Sequence, residues 1–173
     1  MGLTPLEGLV MGTRGGDIDP GVLLHLHRVA GLSVAQLDQL LNRSSGIYGL
    51  CGLNDFRDLT AAADAEDERA RLALAVYLHR LRKYVGAYLA VLGRVDVITF
   101  TAGVGENSAV VRSGALNGLE RLGIRIDADR NEQRSHGARV ISTDDSEVTV
   151  LVVPTNEELA IAQQAAALVQ RTD

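Results

Sequence analysis

The sequence predicts an α/β protein, and three features lead to that prediction. A run of β-branched and apolar residues at 95–101 is typical of a strand covered on both faces, and a glycine-rich segment follows it. Two further strand-like runs, at 138–142 and 148–153, lie later in the chain. Helical periodicity dominates the residues before the first strand, above all at 64–92. The predicted order is helices first, then strand, helix, strand, strand and helix.

Composition restricts the class of protein. The chain has 173 residues, of which 46% are hydrophobic and 23% charged, so we expect one folded domain over residues 1–173. Its net charge of −5 and its single lysine, Lys83, argue against nucleic-acid or membrane-surface partners. One cysteine, Cys51, excludes a disulfide framework and suits a reducing cytoplasm. No apolar run is long enough for a membrane span, and the first residues do not resemble a signal peptide.

Capping residues place the helices of the first half. Thr4, followed by a proline, predicts a short helix that ends near residue 11. Asp19 predicts a second helix through about residue 30, and Ser33 a third through about residue 42. The glycine-containing residues 43–52 are predicted to be a loop.

A tight polar loop at 13–20 carries a lone arginine, Arg14, between glycines and carboxylates. In one interpretation this arginine pairs with Asp17 or Asp19 within the turn. In the other, the restrained loop holds the planar guanidinium out to meet phosphoryl oxygens. The residues alone leave both interpretations open.

The start of the next predicted helix holds a second candidate site. Asp55 is suited to the N-cap, and Arg57 then lies in the first turn, where a cation opposes the helix dipole. Local rules of this kind are often broken at functional sites, so Arg57 is a candidate ligand-binding residue. The long amphipathic helix predicted at 64–92 follows, with apolar residues at every third or fourth position.

Residues 102–107 form the most informative segment. They follow the first strand and precede a helix over about 108–122, which we expect to end at Gly123 in a Schellman-type stop. Glycines let the backbone approach a ligand, and the first N–H groups of a helix lack partners, so nucleotide phosphate is the natural ligand. Two alternatives stay open: a turn without a ligand, and a Rossmann dinucleotide fingerprint with Asp127 as the ribose-binding carboxylate.

The last predicted strand leads into a third candidate site. Pro154 ends that strand, and Thr155 and Glu158 have the spacing of a capping box for the final helix. Glu157 lies between them, at a second strand-to-helix crevice of the kind that binds ligands in open α/β sheets. It is either a first-turn acid favoured by the helix dipole or a carboxylate that reaches Mg²⁺ beside nucleotide phosphates.

Five motifs, taken together and in order, resemble the acetate kinase family. They are MGLTPLEG at 1–8, MGTR at 11–14 with GDIDP at 16–20, NDFRD at 54–58, FTAGVGEN at 100–107 and PTNEE at 154–158. They extend over nearly the whole chain but correspond only to the second half of such an enzyme. The resemblance implies the RNase H-like C-terminal domain of the actin/hexokinase/Hsp70-like ATPase fold, with an added helical region at its start.

The resemblance also implies an activity and a set of roles. The reaction is reversible phosphoryl transfer from ATP to acetate, which gives ADP and acetyl phosphate and uses Mg²⁺. Arg14 would stabilise the transferring phosphoryl group, and Glu157 would serve the metal. The nucleotide would contact Asp55, Phe56, Arg57, Gly103, Val104, Gly105, Glu106 and Asn107. Family members usually dimerise through this domain, so we expect a cytoplasmic homodimer.

Two positions depart from the family pattern, and one domain has no counterpart. Gly15 stands where serine is common, and Ala102 stands where glycine is frequent, a difference that should matter little if the φ of Ala102 is negative. The family's N-terminal domain brings a phosphate loop, an acetate-pocket arginine, a catalytic aspartate and an active-site histidine. We therefore expect this chain alone to turn over little or nothing. The alternatives are a propionate or butyrate kinase domain, and a nucleotide-binding or dimerisation module without catalysis.

Overall fold

The computed structural model describes residues 2–169, apart from the side chain of Glu157. Within this range the chain divides into two compact units, one ending at Val95 and the other beginning at Asp96. The first unit is helical and the second contains the sheet, so the predicted α/β class is confirmed. No helix in this range is both long and apolar enough to cross a lipid bilayer.

The helices of the first unit are α1 Pro20–Val29, α2 Val34–Arg43, α3 Gly46–Cys51, α4 Phe56–Asp64 and α5 Glu68–Leu92. Helix α1 begins after Asp19, whose carboxylate accepts a hydrogen bond from the Gly21 N–H at 2.8 Å. Helix α2 begins after Ser33, which forms a reciprocal capping box with Gln36. Both helix starts agree with the sequence prediction.

The core of the first unit lies where α3 and α4 pack against α5. Ala70 and Ala73 of α5 are fully buried, and such small side chains let neighbouring helices approach closely. Ile47 of α3 and Leu59 of α4 are fully buried in the same cluster. Burying a side chain of that size contributes about 1.5–3 kcal/mol relative to leaving it exposed, so this cluster holds the helices in place.

Two predictions for the first unit are wrong. Residues 4–11 form turns and bends rather than a helix, because Gly8 takes a φ of 107° and its N–H donates to the Asp17 carboxylate. Residues 43–52, predicted to be a loop, contain helix α3, which the burial of Ile47 stabilises. In both cases a tertiary contact outweighs the local sequence signal.

The long helix starts later than predicted. It begins at Glu68 rather than near Asp64, because the Asp67 side chain caps it by accepting the Ala70 N–H at 2.8 Å. Glu66, with a φ of 69°, separates it from α4. The predicted segment therefore contains the end of one helix and the whole of the next.

The second unit contains β1 Val97–Phe100, α6 Ala102–Asn107, α7 Ala109–Leu116, α8 Ala128–Glu132, β2 Arg139–Val140, β3 Thr149–Val152 and α9 Glu157–Val169. Its sheet has the strand order β1-β3-β2. Strand β1 runs parallel to β3, with Phe100 opposite Val152, and β2 runs antiparallel to β3. Because β1 and β3 are parallel, their carboxyl ends meet at one edge of the sheet. The segments that follow them, α6 and residues 153–156, therefore meet there too.

The sheet is covered unevenly. Val150 and Val152 on the central strand β3 are fully buried. Strand β1 pairs with β3 alone in the described sheet, and its Val97 is 48% exposed. The prediction that this strand is covered on both faces is wrong.

The helix after α6 is shorter than predicted. Helix α7 ends at Leu116, and Gly118, with a φ of 84°, leads into a separate 3-10 helix at Glu120–Leu122. The predicted stop at Gly123 is confirmed, because that residue has a φ of 76° and its N–H donates to the Glu120 carbonyl at 3.1 Å.

Candidate functional site

The loop that carries Arg14 is bonded to the helices of the first unit. Its carbonyl groups at residues 11–13 accept hydrogen bonds from three N–H groups at the start of α3, at 2.8–3.0 Å. The Thr13 hydroxyl donates to the Asn42 carbonyl at 2.9 Å, and Nε of Arg14 donates to the Asn42 side-chain oxygen at 3.1 Å. An uncharged partner on α2 therefore orients the Arg14 guanidinium.

Asp17 ties the other end of this loop to α5. Its carboxylate accepts hydrogen bonds from the Gly8 N–H and the Tyr84 hydroxyl, each at 2.7 Å, and lies 3.4 Å from the Arg80 guanidinium. Arg80 also donates to the backbone carbonyls of Gly8 and Asp17. These partners, the Tyr84 hydroxyl foremost, hold the pKa of Asp17 below its usual value.

The predicted pairing of Arg14 with Asp17 or Asp19 is wrong. Asp17 is bonded to Gly8 and α5, and Asp19 caps α1. Among the residues that the structure describes, no carboxylate pairs with Arg14. The other interpretation, a guanidinium held on a restrained loop for a phosphoryl group, stays a prediction.

Two glycines let this loop pack closely. Gly46, at the start of α3, has a φ of 63°, and a Cβ there would collide with the Met11 carbonyl oxygen and lie 2.6 Å from the Arg14 carbonyl oxygen. Gly16 has a φ of 70°, and a Cβ there would collide with the Gly8 carbonyl oxygen. Only glycine fits at either position, so backbone packing fixes the course of the loop.

The three candidate residues at the start of α4 have different surroundings. Asp55 is the N-cap: its carboxylate accepts the Arg57 N–H at 2.8 Å and the Arg57 guanidinium at 2.6 Å. The guanidinium and then the N–H lower the pKa of Asp55 to about 2, because they stabilise its charged form. The Arg57 side chain is 90% exposed. Phe56 instead packs edge-on against Tyr77, with ring centroids 4.6 Å apart.

The Arg14 loop and the segment before α4 are neighbours within the first unit. A Cβ at Gly12 would collide with the side-chain oxygen of Asn54. The structure therefore brings Arg14 and residues 55–57 to one region of this unit. Residues 103–107 and Glu157 belong to the second unit.

Residues 102–107, predicted to be a glycine-rich loop, form the short helix α6. It begins directly after β1, and Ala102 has a φ of 58°. The expectation of a negative φ at Ala102 is therefore wrong, and the glycine frequent in the family would suit this backbone better, since a Cβ disfavours the left-handed region. Asn107 donates its side-chain N–H to the Gly103 carbonyl at 2.8 Å, which braces the helix.

Glu106 joins α6 to the segment after β3. One oxygen of its carboxylate accepts the Thr155 N–H at 2.8 Å and the Thr155 hydroxyl at 3.0 Å. The backbone bond from Thr155 is the main cause of the lowered pKa of Glu106. The predicted capping box of Thr155 and Glu158 is wrong: Asn156 caps α9, because its side-chain oxygen accepts the Leu159 N–H at 3.0 Å.

An open pocket of about 440 Å³ lies beside this bridge. Ala102 and Gly103 of α6 form one wall, and Thr155, Asn156 and Glu158 form the other. Both walls follow the carboxyl ends of parallel strands, which is where open α/β sheets bind ligands. The position of the pocket makes it the candidate ligand site of the second unit.

The candidate metal ligand Glu157 is the first residue of α9, and its side chain lies outside the described residues. Among the side chains that are described, no three from His, Cys, Asp or Glu form a group that could hold a metal ion. Mg²⁺ usually takes only one or two protein carboxylates and completes its shell with water and substrate phosphates. The oxygen-bearing wall of Asn156 and Glu158 therefore has the donor chemistry that suits Mg²⁺.

Sequence reasoning missed two groups of supporting residues. Asp17 lies 63 positions before Arg80 and 67 before Tyr84, both of which are on α5, so no local pattern reveals their contact. Arg112 is only 2% exposed and donates to two carbonyls of α6. The one available signal was an arginine within the apolar run of α7.

A model of the acetokinase family matches residues 1–163 of the chain. The chain belongs to the acetokinase family. The chain is 60% identical to the acetate kinase of Streptomyces avermitilis over 169 residues. This match covers 98% of the chain and 42% of the Streptomyces protein. The chain thus spans about 42% of the length of the curated acetokinase relatives it matches.

Solved structures of related kinases have the same fold over this stretch. Porphyromonas gingivalis acetate kinase is 45% identical and superposes with a TM-score of 0.90, covering 98% of this chain and 43% of that structure. A propionate kinase from Francisella tularensis is 41% identical, with a TM-score of 0.86, and the match covers 94% of this chain and 41% of that structure. The matched structures therefore include one acetate kinase and one propionate kinase.

Proposed function

We propose that this chain is the C-terminal, nucleotide-binding part of an acetate kinase, which converts ATP and acetate to ADP and acetyl phosphate. Its place in the acetokinase family and its 60% identity to an acetate kinase support the proposal. The structural observation that carries it is the pocket between α6 and residues 155–158, at the edge where two parallel strands end. Residues 1–173 would then form the RNase H-like domain of an actin/hexokinase/Hsp70-like ATPase, with an added helical region at its start.

Helix α6 would contact the nucleotide through residues 103–107. Gly103 lies on the pocket wall, and a Cβ there would meet no atom of the described chain within 4 Å, so a ligand has room to approach its backbone. Asn107 holds the Gly103 carbonyl, and Glu106 links the two walls through Thr155. Val104 and Gly105 complete this proposed contact segment of α6, between Gly103 and Glu106.

Arg14 would stabilise the transferring phosphoryl group. An acetate oxygen attacks the γ-phosphorus of ATP, the bond from that phosphorus to the β–γ bridging oxygen breaks, and ADP leaves with the electron pair. Negative charge is then spread over the oxygens of the phosphoryl group, and a pre-positioned guanidinium stabilises it. The Arg14 side chain has one described hydrogen bond, through Nε to Asn42, which leaves its two terminal nitrogens for those oxygens.

Asp55, Phe56 and Arg57 would contact the nucleotide at the start of α4. The exposed Arg57 side chain can exchange its Asp55 partner for a phosphate or ribose oxygen, whereas Phe56 is fixed by Tyr77 and offers its remaining ring surface. We assign Glu157 to Mg²⁺. A bound Mg²⁺ would neutralise charge on the phosphate oxygens, and the neighbouring Asn156 and Glu158 provide oxygen donors of the right kind.

The acetate site and the remaining catalytic groups would belong to the part of the relatives that this chain does not span. We therefore propose that the chain alone has little or no turnover, and that the complete enzyme is a cytoplasmic homodimer. Titration calorimetry with Mg-ADP tests the nucleotide site. We expect Arg57→Ala to weaken binding about tenfold, the loss of one charge-assisted contact, and Arg28→Ala, an exposed arginine on α1, to leave it unchanged. Wild-type protein that gives no heat with millimolar Mg-ADP would contradict a preformed site.

Propionate kinase is the second candidate, because a propionate kinase matches this chain with a TM-score of 0.86. Butyrate kinase follows from the same argument about acyl length. Initial rates of the complete protein on acetate, propionate and butyrate decide among them, since each added methylene changes kcat/KM by about 10-fold or more in a pocket shaped for one acyl group. The highest kcat/KM on propionate would overturn the acetate assignment and leave the nucleotide assignment intact.

A further inference from the structure

We propose that Arg112 is a positioning residue for the nucleotide: through hydrogen bonds to α6, it holds this helix in the conformation that lines the pocket. This inference rests on the proposed function, since it concerns the same site. Arg112 does not line that pocket, and no sequence motif singled it out. Its hydrogen bonds are what connect it to the site.

Arg112 lies in α7 and is 2% exposed. Its guanidinium donates to the carbonyls of Gly105 and Glu106, each at 2.9 Å. On its other side it donates to the side-chain oxygen of Asn131 at 2.7 Å and to the Asn131 carbonyl at 2.6 Å. One planar group therefore connects α6 and α8 through α7.

The Gly105 and Glu106 carbonyls that Arg112 contacts lie in the last turn of the six-residue helix α6. Carbonyl groups in the last turn have no partner within their own helix. A helix of this length is not stable by itself, so its shape depends on outside contacts. Arg112 supplies such a contact at one end, and the bond between Glu106 and Thr155 supplies another at the pocket.

The chemistry of the acceptors indicates that Arg112 serves to hold α6 and α8 in place rather than to neutralise a charge. Each of the four is an uncharged carbonyl or amide oxygen. Burial, and after it the nearby Arg139, lowers the pKa of Arg112 to about 10, which means that the charged form is disfavoured at this place. An apolar side chain would fill the same volume without that cost, but it could not bond to α6 and α8 at once.

Asn131 fixes Arg112 in turn. It is 3% exposed, and its side-chain N–H donates to the Ala109 carbonyl at the start of α7, at 3.0 Å. The amide is thus oriented with its oxygen toward Nε of Arg112. Arg112 and Asn131 act as a unit, so changes at the two positions should have effects that do not add.

The test compares Arg112→Lys with wild type in the complete kinase that contains this chain. Lysine keeps the charge, but its single nitrogen cannot span the four acceptors that the three nitrogens of the planar guanidinium reach. We expect amide hydrogen exchange in residues 102–108 to become at least about tenfold faster, with β3 unchanged, and the KM for ATP to rise about tenfold. The KM for acetate should stay within about twofold of wild type. Arg125→Lys, which alters an exposed pair with Asp145 in the same unit, is the matched control and should change none of these.

A second variant keeps the inference testable if Arg112→Lys fails to fold. Asn131→Ala leaves both bonds from Arg112 to α6 possible and removes the acceptor of its Nε. Amide exchange in residues 102–108 and the KM for ATP should therefore rise in this variant too, but by less than in Arg112→Lys. Exchange in 102–108 that stays at the wild-type rate, or a parallel rise in both KM values, would overturn the inference. Wild-type kinase that shows no binding of Mg-ADP would instead overturn the proposed function, which separates the two failures.

Discussion

The Arg57 guanidinium lies 2.6 Å from the carboxylate of Asp55, and the same carboxylate caps α4 by accepting the Arg57 N–H. A cation in the first turn opposes the helix dipole, and here an anion two residues earlier compensates it. The apparent violation of a local rule is therefore resolved within the helix start itself. Arg57 remains a proposed nucleotide contact, but one that exchanges an existing partner.

The pKa of Asp55 reports directly on the Asp55–Arg57 ion pair. The pKa of Asp55 is lowered from 3.8 to about 2, so the native state binds this proton less readily than the unfolded chain does. The pair then contributes stability above pH 3.8, and this contribution is lost as the pH falls through about 2. In Arg57→Ala, NMR titration of the Asp55 carboxyl should give a pKa that moves back up toward 3.8. Equal values in wild type and variant would show that the pair does not persist in solution.

Ala102→Gly should stabilise the second unit by about 1 kcal/mol. Ala102 holds a φ of 58°, which costs a residue with a Cβ about 1–2 kcal/mol and a glycine almost nothing. Part of the gain is offset by the larger conformational freedom of glycine in the unfolded chain. The free energy of unfolding in urea measures the change. The same substitution at Ala87, an exposed interior position of α5, should have the opposite sign, and a loss of stability at both would refute the explanation.

Gly46→Ala should displace the Arg14 loop. The added Cβ would meet the carbonyl oxygens of Met11 and Arg14, in addition to the cost of a positive φ, so we expect a loss of about 3 kcal/mol. Gly52 also has a positive φ, 78°, but a Cβ there meets nothing described within 4 Å. Gly52→Ala should therefore cost only about 1 kcal/mol.

The same pair of variants tests the role proposed for Arg14 in phosphoryl transfer. If the loop sets the guanidinium, kcat of the complete enzyme should fall at least about tenfold in Gly46→Ala and stay near wild type in Gly52→Ala. Steady-state rates at saturating ATP and acetate give both values. Equal losses in the two variants would mean that general destabilisation, rather than displacement of Arg14, controls the rate.

Asp17 should make the stability of the first unit depend on pH. Its pKa is lowered from 3.8, chiefly by the Tyr84 hydroxyl, so its contribution is complete above pH 3.8 and is lost as the pH falls through its native pKa. Asp17→Asn should cost about 1 kcal/mol at pH 7, a value already reduced for its 38% exposed side chain. In Asp17→Asn the melting temperature should also vary less with pH between pH 2 and 5. Tyr84→Phe should reduce this variation in part. A pH dependence that is the same in Asp17→Asn would contradict this assignment.

Local signals predicted the elements whose causes are local. Asp19, Ser33 and Asp55 cap helices as expected, because a cap needs only the N–H groups two or three residues later. Gly123 ends the helical segment before it, as expected, for the same reason. The order of strands along the chain and the crevices after β1 and β3 could likewise be predicted, since strands have a strong local composition.

Features that depend on distant residues were not predictable. The sequence predicts a loop at residues 102–107 because two glycines weaken any helix. The contact that holds these residues as α6 comes from the buried guanidinium of Arg112, which lies on the next helix. Arg14 and Asp17 stand close in sequence with opposite charges, yet Asp17 bonds to Tyr84, 67 positions away. Thr155 has the sequence of a cap, but Glu106, 49 positions away, takes its hydrogen bonds.

The pairing of β1 with β3 sets an order for events during synthesis. Val97 pairs with Thr149, so a ribosome must add about fifty further residues before β1 meets the strand that satisfies its backbone. During that interval a β-branched, apolar segment emerges with an unpaired edge, which is the kind of surface that other nascent chains can join. The helices of the first unit are complete by then, so the early half of this chain can fold while the later half waits for its central strand.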